Sequence, residues 1–247
     1  MLRTGYIILT AAVLLFFTAC ASTSNPGLAH EHVNRGIMYA GKGMYDLAMV
    51  EYNRAIENDP QCARAYNDRG NIYFLKGQYE LAVKEYKRAV DIDRKYARAY
   101  SNLGFAYLML RQYEPALAEF SNAIKNNPRY AKAYNNRGLV YFAMGKYKRA
   151  ILDYSRAIAI DPELAKPYDN RGAAYMLTGD IERACADFSR ACGLGLCETY
   201  DMAKSRGYCR FDYIAFVPAG ESGSPGSLAS ASEATAPTLF STSSPSS

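Results

Sequence analysis

The chain has 247 residues, 49% of them hydrophobic on a broad count, with 29 Lys and Arg against 24 Asp and Glu, no Trp and 22 Tyr. That is apolar material for one large domain or two small ones, and a net charge of only +5 lacks the dense basic stripe that grips nucleic acid, so no nucleic-acid partner is expected. The two His, His30 and His32, stand almost together and leave little for zinc chemistry or a hydrolase constellation; no metal, cofactor or catalytic residue is expected.

The chain opens on Met1-Leu2-Arg3, runs apolar from Tyr6 to Phe17 and closes on the small residues Thr18-Ala19. This run is shorter than the about 20 residues of a spanning helix and has the anatomy of a secretory signal peptide, so residues 1–19 are set outside the fold. Phe17-Thr18-Ala19-Cys20 resembles the lipobox of bacterial lipoproteins, with Phe17 where Leu is usual. The resemblance implies that Cys20 becomes the lipid-linked first residue of the mature chain; an ordinary cleaved signal beside an incidental Cys is the alternative. Ala21-Ser22, rather than Asp, follows the Cys, which resembles lipoproteins passed on to the outer membrane, facing the periplasm. Residues 20–28 are then the lipidated Cys and a flexible tether, small and polar with Pro26 and Gly27.

The body repeats. Gly36, Gly70, Gly104, Gly138 and Gly172 are each 34 residues apart, and in the same phase run Tyr39, Tyr73, Tyr107, Tyr141 and Tyr175, Ala48, Ala82, Ala116, Ala150 and Ala184, and the aromatics Tyr52, Tyr86, Phe120, Tyr154 and Phe188. In the second unit, apolar residues at helical spacing from Ala65 to Leu75 are broken by Lys76-Gly77-Gln78 and resume from Tyr79 to Ile92, so each unit reads as a helical hairpin. Gly and Ala at fixed positions mark where two helices approach closely. Sixteen of the 22 Tyr lie in four in-phase columns and are read as packing. These columns resemble the tetratricopeptide repeat (TPR) family, in units 29–62, 63–96, 97–130, 131–164 and 165–198. Departures are His32 where the other units carry Tyr66, Tyr100, Tyr134 and Tyr168, Arg94 where Pro is expected, and Leu196 at that place in the last unit. The resemblance implies an all-α fold, a right-handed solenoid of five hairpins whose units contact only their neighbours.

It also implies a concave groove lined by the first helix of each hairpin and used for an extended peptide or a partner's helix. The lining carries a basic column of His30, Arg64, Arg98, Lys132 and Lys166 and an amide-rich column of Asn34, Asp68, Asn102, Asn136 and Asn170, with Asn67, Asn71 and Asn135 adjacent. Phe74, Phe105, Leu108, Phe142 and Met176 are expected to give apolar pockets. Amides pair with peptide backbone and cations with carboxylates, so the groove is expected to take an extended acidic or carboxylate-ended segment; a solvated basic rim is the alternative. Asn71, Asn102 and Lys132 match places of the carboxylate clamp found in some TPR proteins, but Asn67 and Asn136 stand where that clamp has cations. The Arg before four of the glycines, Arg35, Arg69, Arg137 and Arg171, are expected to pack their stems on the neighbouring helix with salt-bridged heads.

Beyond the repeats, Glu198 to Ser205 reads as a short helix folding back to cap the last unit, within a capping segment 199–217. Export would place Cys62, Cys185, Cys192, Cys197 and Cys209 in an oxidising compartment. An antiparallel cap would pair Cys192 with Cys197 and Cys185 with Cys209, one of three connectivities open to four Cys, and would leave Cys62 free. Residues 218–247, with ten Ser and no Lys or Arg, read as a disordered tail. The expected function is a non-enzymatic adaptor anchored in the envelope membrane by its lipid and binding other envelope proteins. The alternatives are a self-associating structural lipoprotein, as a homodimer, and a pilotin-type assembly factor.

Overall fold

The computed structural model describes residues 24–209. The expected signal peptide, Cys20, the far part of the expected capping segment and the expected tail lie outside the described residues. Eleven helices and no strands are present among the described residues. They fall in two compact units, Met1–Pro128 and Arg129–Ser247.

The first unit holds α1 (Pro26–Gly41), α2 (Tyr45–Asn58), α3 (Ala63–Leu75), α4 (Tyr79–Ile92), α5 (Ala97–Met109) and α6 (Tyr113–Asn126). They pair as three hairpins, α1 with α2, α3 with α4 and α5 with α6, and α2 also packs on α3 and α4 on α5. The second unit holds α7 (Ala131–Ala143), α8 (Tyr147–Ile160), α9 (Ala165–Leu177), α10 (Ile181–Gly193) and α11 (Glu198–Ser205). There α7 pairs with α8 and α9 with α10, α8 packs on α9, and α11 closes on α10. Helices in consecutive antiparallel pairs are the all-α architecture the 34-residue period calls for.

Each hairpin turns where the chain leaves the right-handed helical region for one residue. Gly43, Gly77, Gly145 and Gly179 take φ between 71° and 84°, and in the third hairpin Arg111 takes φ 56° in the same place. The helices of a hairpin meet through the small-residue columns: Ala48, Ala82, Ala116, Ala150 and Ala184 are fully buried. A Cβ built on Gly138 would stand 2.6 Å from the Tyr154 ring, closer than real side-chain contacts, so that position admits no side chain unless the ring shifts. The core of each hairpin is therefore an aromatic ring laid on a glycine.

One boundary differs from the sequence reading. Residues 26–28, assigned to the tether, are helical: Asn25 caps α1 by accepting from the Leu28 N–H at 3.0 Å, and Pro26 occupies the first turn. Proline there has its φ already set for a helix and lacks only an N–H that would be unpaired, so Pro26 starts α1 and does not mark a loop.

Candidate functional site

In the first unit the groove-side residues of α3 and α5 form one hydrogen-bonded network. Asn102 Nδ2 donates to Asn67 Oδ1 at 2.9 Å and to Asn71 Oδ1 at 3.1 Å. Tyr86 donates its hydroxyl proton to Asn71 Oδ1 at 2.8 Å, and Asn67 Nδ2 donates to Asp68 Oδ1 at 2.9 Å. Beside this network lies a recess of about 280 Å³ lined by Asn71, Phe74, Leu75, Tyr86, Asn102 and Phe105. Phe74 stacks at 5.4 Å on Phe105 and at 5.1 Å on Tyr79, which holds its ring in place. Arg64 and Arg98 are exposed in the first turns of α3 and α5, Arg64 standing 3.8 Å from Asp68. Burial pushes the Asp68 carboxyl above its ordinary range, against the hydrogen bond from Asn67 and the charges of Arg64 and Arg98. The recess thus offers an apolar wall and an amide floor, with exposed cations in the first turns of the same two helices.

In the second unit α7 and α9 repeat the floor. Asn170 Nδ2 donates to Asn135 Oδ1 at 2.9 Å, and Asn135 Nδ2 to Asn136 Oδ1 at 3.2 Å. Lys132 and Lys166 are exposed, one on each helix. Leu139 stands where Asn71 stands in the first unit, and the hydroxyl of Tyr154 is accordingly buried without a partner.

Two residues assigned to the binding face are not on it. Asn67 is fully buried and Asn135 is 5% exposed. Each is committed to the next hairpin through Asn102 or Asn170, because a buried amide keeps its hydrogen bonds within the protein. Met176, expected to floor a pocket, is buried beneath α11 in a cluster with Phe188, Ala203 and Cys209. Arg64, Asn71, Phe74, Arg98, Asn102 and Phe105 remain together in the first unit, and Lys132, Asn136, Lys166 and Asn170 in the second.

The arginines before the glycines find partners that sequence reading did not single out. Arg35 pairs with Glu51, Arg69 with Glu85, Arg137 with Asp153 and Arg171 with Asp187, all at 2.7–2.8 Å. Arg69 and Arg171 also reach back one hairpin, to Asn53 at 2.7 Å and Ser155 at 2.9 Å. The acid sixteen residues after each Arg was the available signal; the third hairpin, with Leu103 in place of Arg, lacks the pair. In the first hairpin Glu51 also accepts from His32 at 2.8 Å and Arg54 at 2.8 Å. Burial raises the Glu51 carboxyl, but the hydrogen bonds from His32 and Arg35 outweigh it and hold the group below its ordinary range.

At the far end, disulfides join Cys185 to Cys209 and Cys192 to Cys197, tying α11 to α10. Cys62 is free and buried.

Segments 36–77, 70–110 and 112–145 match the TPR repeat family, and 131–164 matches the tetratricopeptide repeat. The chain belongs to the tetratricopeptide repeat family, whose members bind partner proteins or peptides, and its fold is that of a protein-interaction scaffold. Among solved structures it is similar to MamA, at 30% identity over 69% of this chain and 96% of that one, with a TM-score of 0.58. It shares its fold with YrrB, described as a TPR protein with an unusual peptide-binding site, at 21% identity over 71% of this chain and 90% of that one (TM-score 0.57). It also shares its fold with PilW, described as a widely conserved type IV pilus biogenesis factor, at 20% identity over 74% and 87% (TM-score 0.66). No curated protein matches the chain significantly.

Proposed function

We propose that the protein is a non-enzymatic adaptor of the cell envelope, held at the membrane by a lipid on Cys20 and binding extended segments of other envelope proteins on the groove side of its hairpins. The observation that carries the binding reading is the recess of the first unit, where Phe74 and Phe105 form an apolar wall beside the amides of Asn71 and Asn102, with Arg64 and Arg98 exposed in the first turns of the same helices. Apolar side chains fit the wall, peptide groups pair with the amides, and carboxylates meet the cations. The peptide-binding site ascribed to YrrB is a precedent for this use of the fold. The lipobox-like Phe17-Thr18-Ala19-Cys20 supports the anchor, and Ala21-Ser22 supports the outer membrane as its destination.

Crosslinking in intact cells, followed by capture and mass spectrometry, tests the reading. The native chain is expected to bring down defined envelope partners that the Arg64→Glu, Arg98→Glu double variant loses at equal abundance. Partners that persist in the variant would remove the recess from the account, and self-adducts alone would make the protein a homo-oligomeric structural lipoprotein.

A further inference from the structure

The two ends of the array are finished differently. The last hairpin is covered: Ala203, Tyr200, Tyr208 and Cys209 lie over Met176, Ala184 and Phe188, with a disulfide holding them there. Among the described residues the first hairpin has no such cover. Residues Leu28, Glu31, Arg35 and Met38 share one stripe of α1 by helical spacing, and their counterparts in α3 are Cys62, Ala65, Arg69 and Ile72. In α3 that stripe lies against α2, with Cys62 and Ala65 packed on Ala55 and Ile72 on Ala48 and Tyr52. In α1 Met38 is 47% exposed, whereas its counterparts Ile72, Ala106, Val140 and Ala174 are at most 2% exposed.

The first hairpin also carries an apolar side chain where its relatives carry polar ones: Met44 stands in a column with Gln78, Gln112, Lys146 and Asp180. Leu47 lies one turn on, in a column that keeps Leu81 and Pro115 before it turns to Arg149 and Arg183. Met44 and Leu47 are about half exposed, and of the eleven large hydrophobic residues exposed among the described residues, six belong to this hairpin. A terminal repeat normally presents a polar outer face. An apolar terminal flank marks a surface that something covers.

The chain outside the structure names the occupant. Asn25 caps α1 and its N–H is bonded to Asn58 O at 2.8 Å, so the chain leaves the hairpin beside Leu28. Three residues, Ala21, Ser22 and Thr23, separate Ser24 from Cys20, and the four steps of chain reach at most ~14 Å. A lipid on Cys20 would hold Ser24, and with it the start of this flank, within that distance of the bilayer surface. Once the anchor has removed the translational cost, a few apolar contacts suffice to orient the body.

We infer that the uncovered flank of the first hairpin, with Leu28 at the anchor end and Met38, Met44 and Leu47 toward the turn end about 15 Å away, is a seat for the surface of a lipid bilayer. The inference rests on the lipid anchor proposed above. Residues 24–58 carry three Lys and Arg against four Asp and Glu, so the seat is apolar and does not depend on anionic headgroups.

The absence of Trp makes the test clean, because one introduced Trp is the sole indole reporter. The full lipid-bearing chain, as Met38→Trp, Leu47→Trp or Leu152→Trp, is reconstituted on vesicles of phosphatidylethanolamine and phosphatidylglycerol with brominated acyl chains. Leu152, 70% exposed in the second unit, is the control. Met38→Trp and Leu47→Trp are expected to lose most of their emission to the bromines at low and high salt, and Leu152→Trp to keep its own. Variants that float with the vesicles yet stay unquenched overturn the seat and leave the anchor standing. A chain that does not float overturns the anchor and the seat with it. Blue-shifted emission of Met38→Trp without lipid also overturns the seat, assigning the flank to a second copy if the mass doubles and to another part of the same chain if it does not.

Discussion

Tyr86 and Tyr154 occupy one column and are equally buried, yet they live in different chemistry. Tyr86 donates to Asn71, while Tyr154, facing Leu139, has no partner for its hydroxyl. In both, burial ahead of nearby carboxylates pushes the phenol well above its ordinary range. Removing one half of a buried hydrogen bond leaves the other unsatisfied, whereas removing an orphan hydroxyl relieves a cost. Tyr86→Phe is therefore expected to destabilise the chain by about 1–2 kcal/mol. Tyr154→Phe is expected to be neutral or to stabilise by up to about 1 kcal/mol. Urea titration followed by circular dichroism measures both, and equal losses would contradict the difference in partners. Much of this scale was legible beforehand: the Gly, Ala and aromatic columns sit in the packing places their period implied. The fates of Asn67 and Asn135 were not, because exposure on a helix's groove side depends on how far the next hairpin reaches across, which one sequence does not encode residue by residue.

The cap is the element whose chemistry is least settled by the repeat. Asp169 lies in the column of Asn67 and Asn135, but it is a carboxyl, and one of its oxygens is buried without a hydrogen-bond partner. Burial pushes it above its ordinary range, against the hydrogen bond from Thr199, and the charge of Glu198 on α11 adds to the rise. A carboxyl raised in the folded state favours folding below its unfolded pKa, and that contribution is lost as pH rises through the folded value. At neutral pH the charged group is thus a cost, which an amide removes. Asp169→Asn is expected to raise the thermal midpoint at pH 7 by a few degrees, corresponding to about 1 kcal/mol. The gain should shrink as pH falls through the raised carboxyl range, and a variant less stable than the native chain at pH 7 would show that the charge is needed. At this scale the hairpins, their turns and the short last helix could be read from apolar spacing and breakers, while the start of α1 could not. Pro26-Gly27 carries the composition of a linker, and only the Asn25 cap makes it a helix start.

Taken whole, the chain is a run of hairpins that differ at the positions their common packing leaves free. Glycines, alanines and the Arg–acid pairs hold the repeats, whereas the column of Asn71 and Phe105 and that of Phe74 vary from unit to unit around the recess. The family and its scaffold role were legible because packing imposes a period; the partner was not, because function resides in sites that vary across that period. The central claim is that the recess of the first unit is where a partner sits. The most direct measurement replaces Phe74 with a photo-crosslinking phenylalanine derivative in living cells, and Leu152 with the same group as a control. A discrete adduct with another protein is expected from position 74, absent from position 152 and abolished by Arg98→Glu. No adduct at position 74, or the same adducts from both positions, would contradict it.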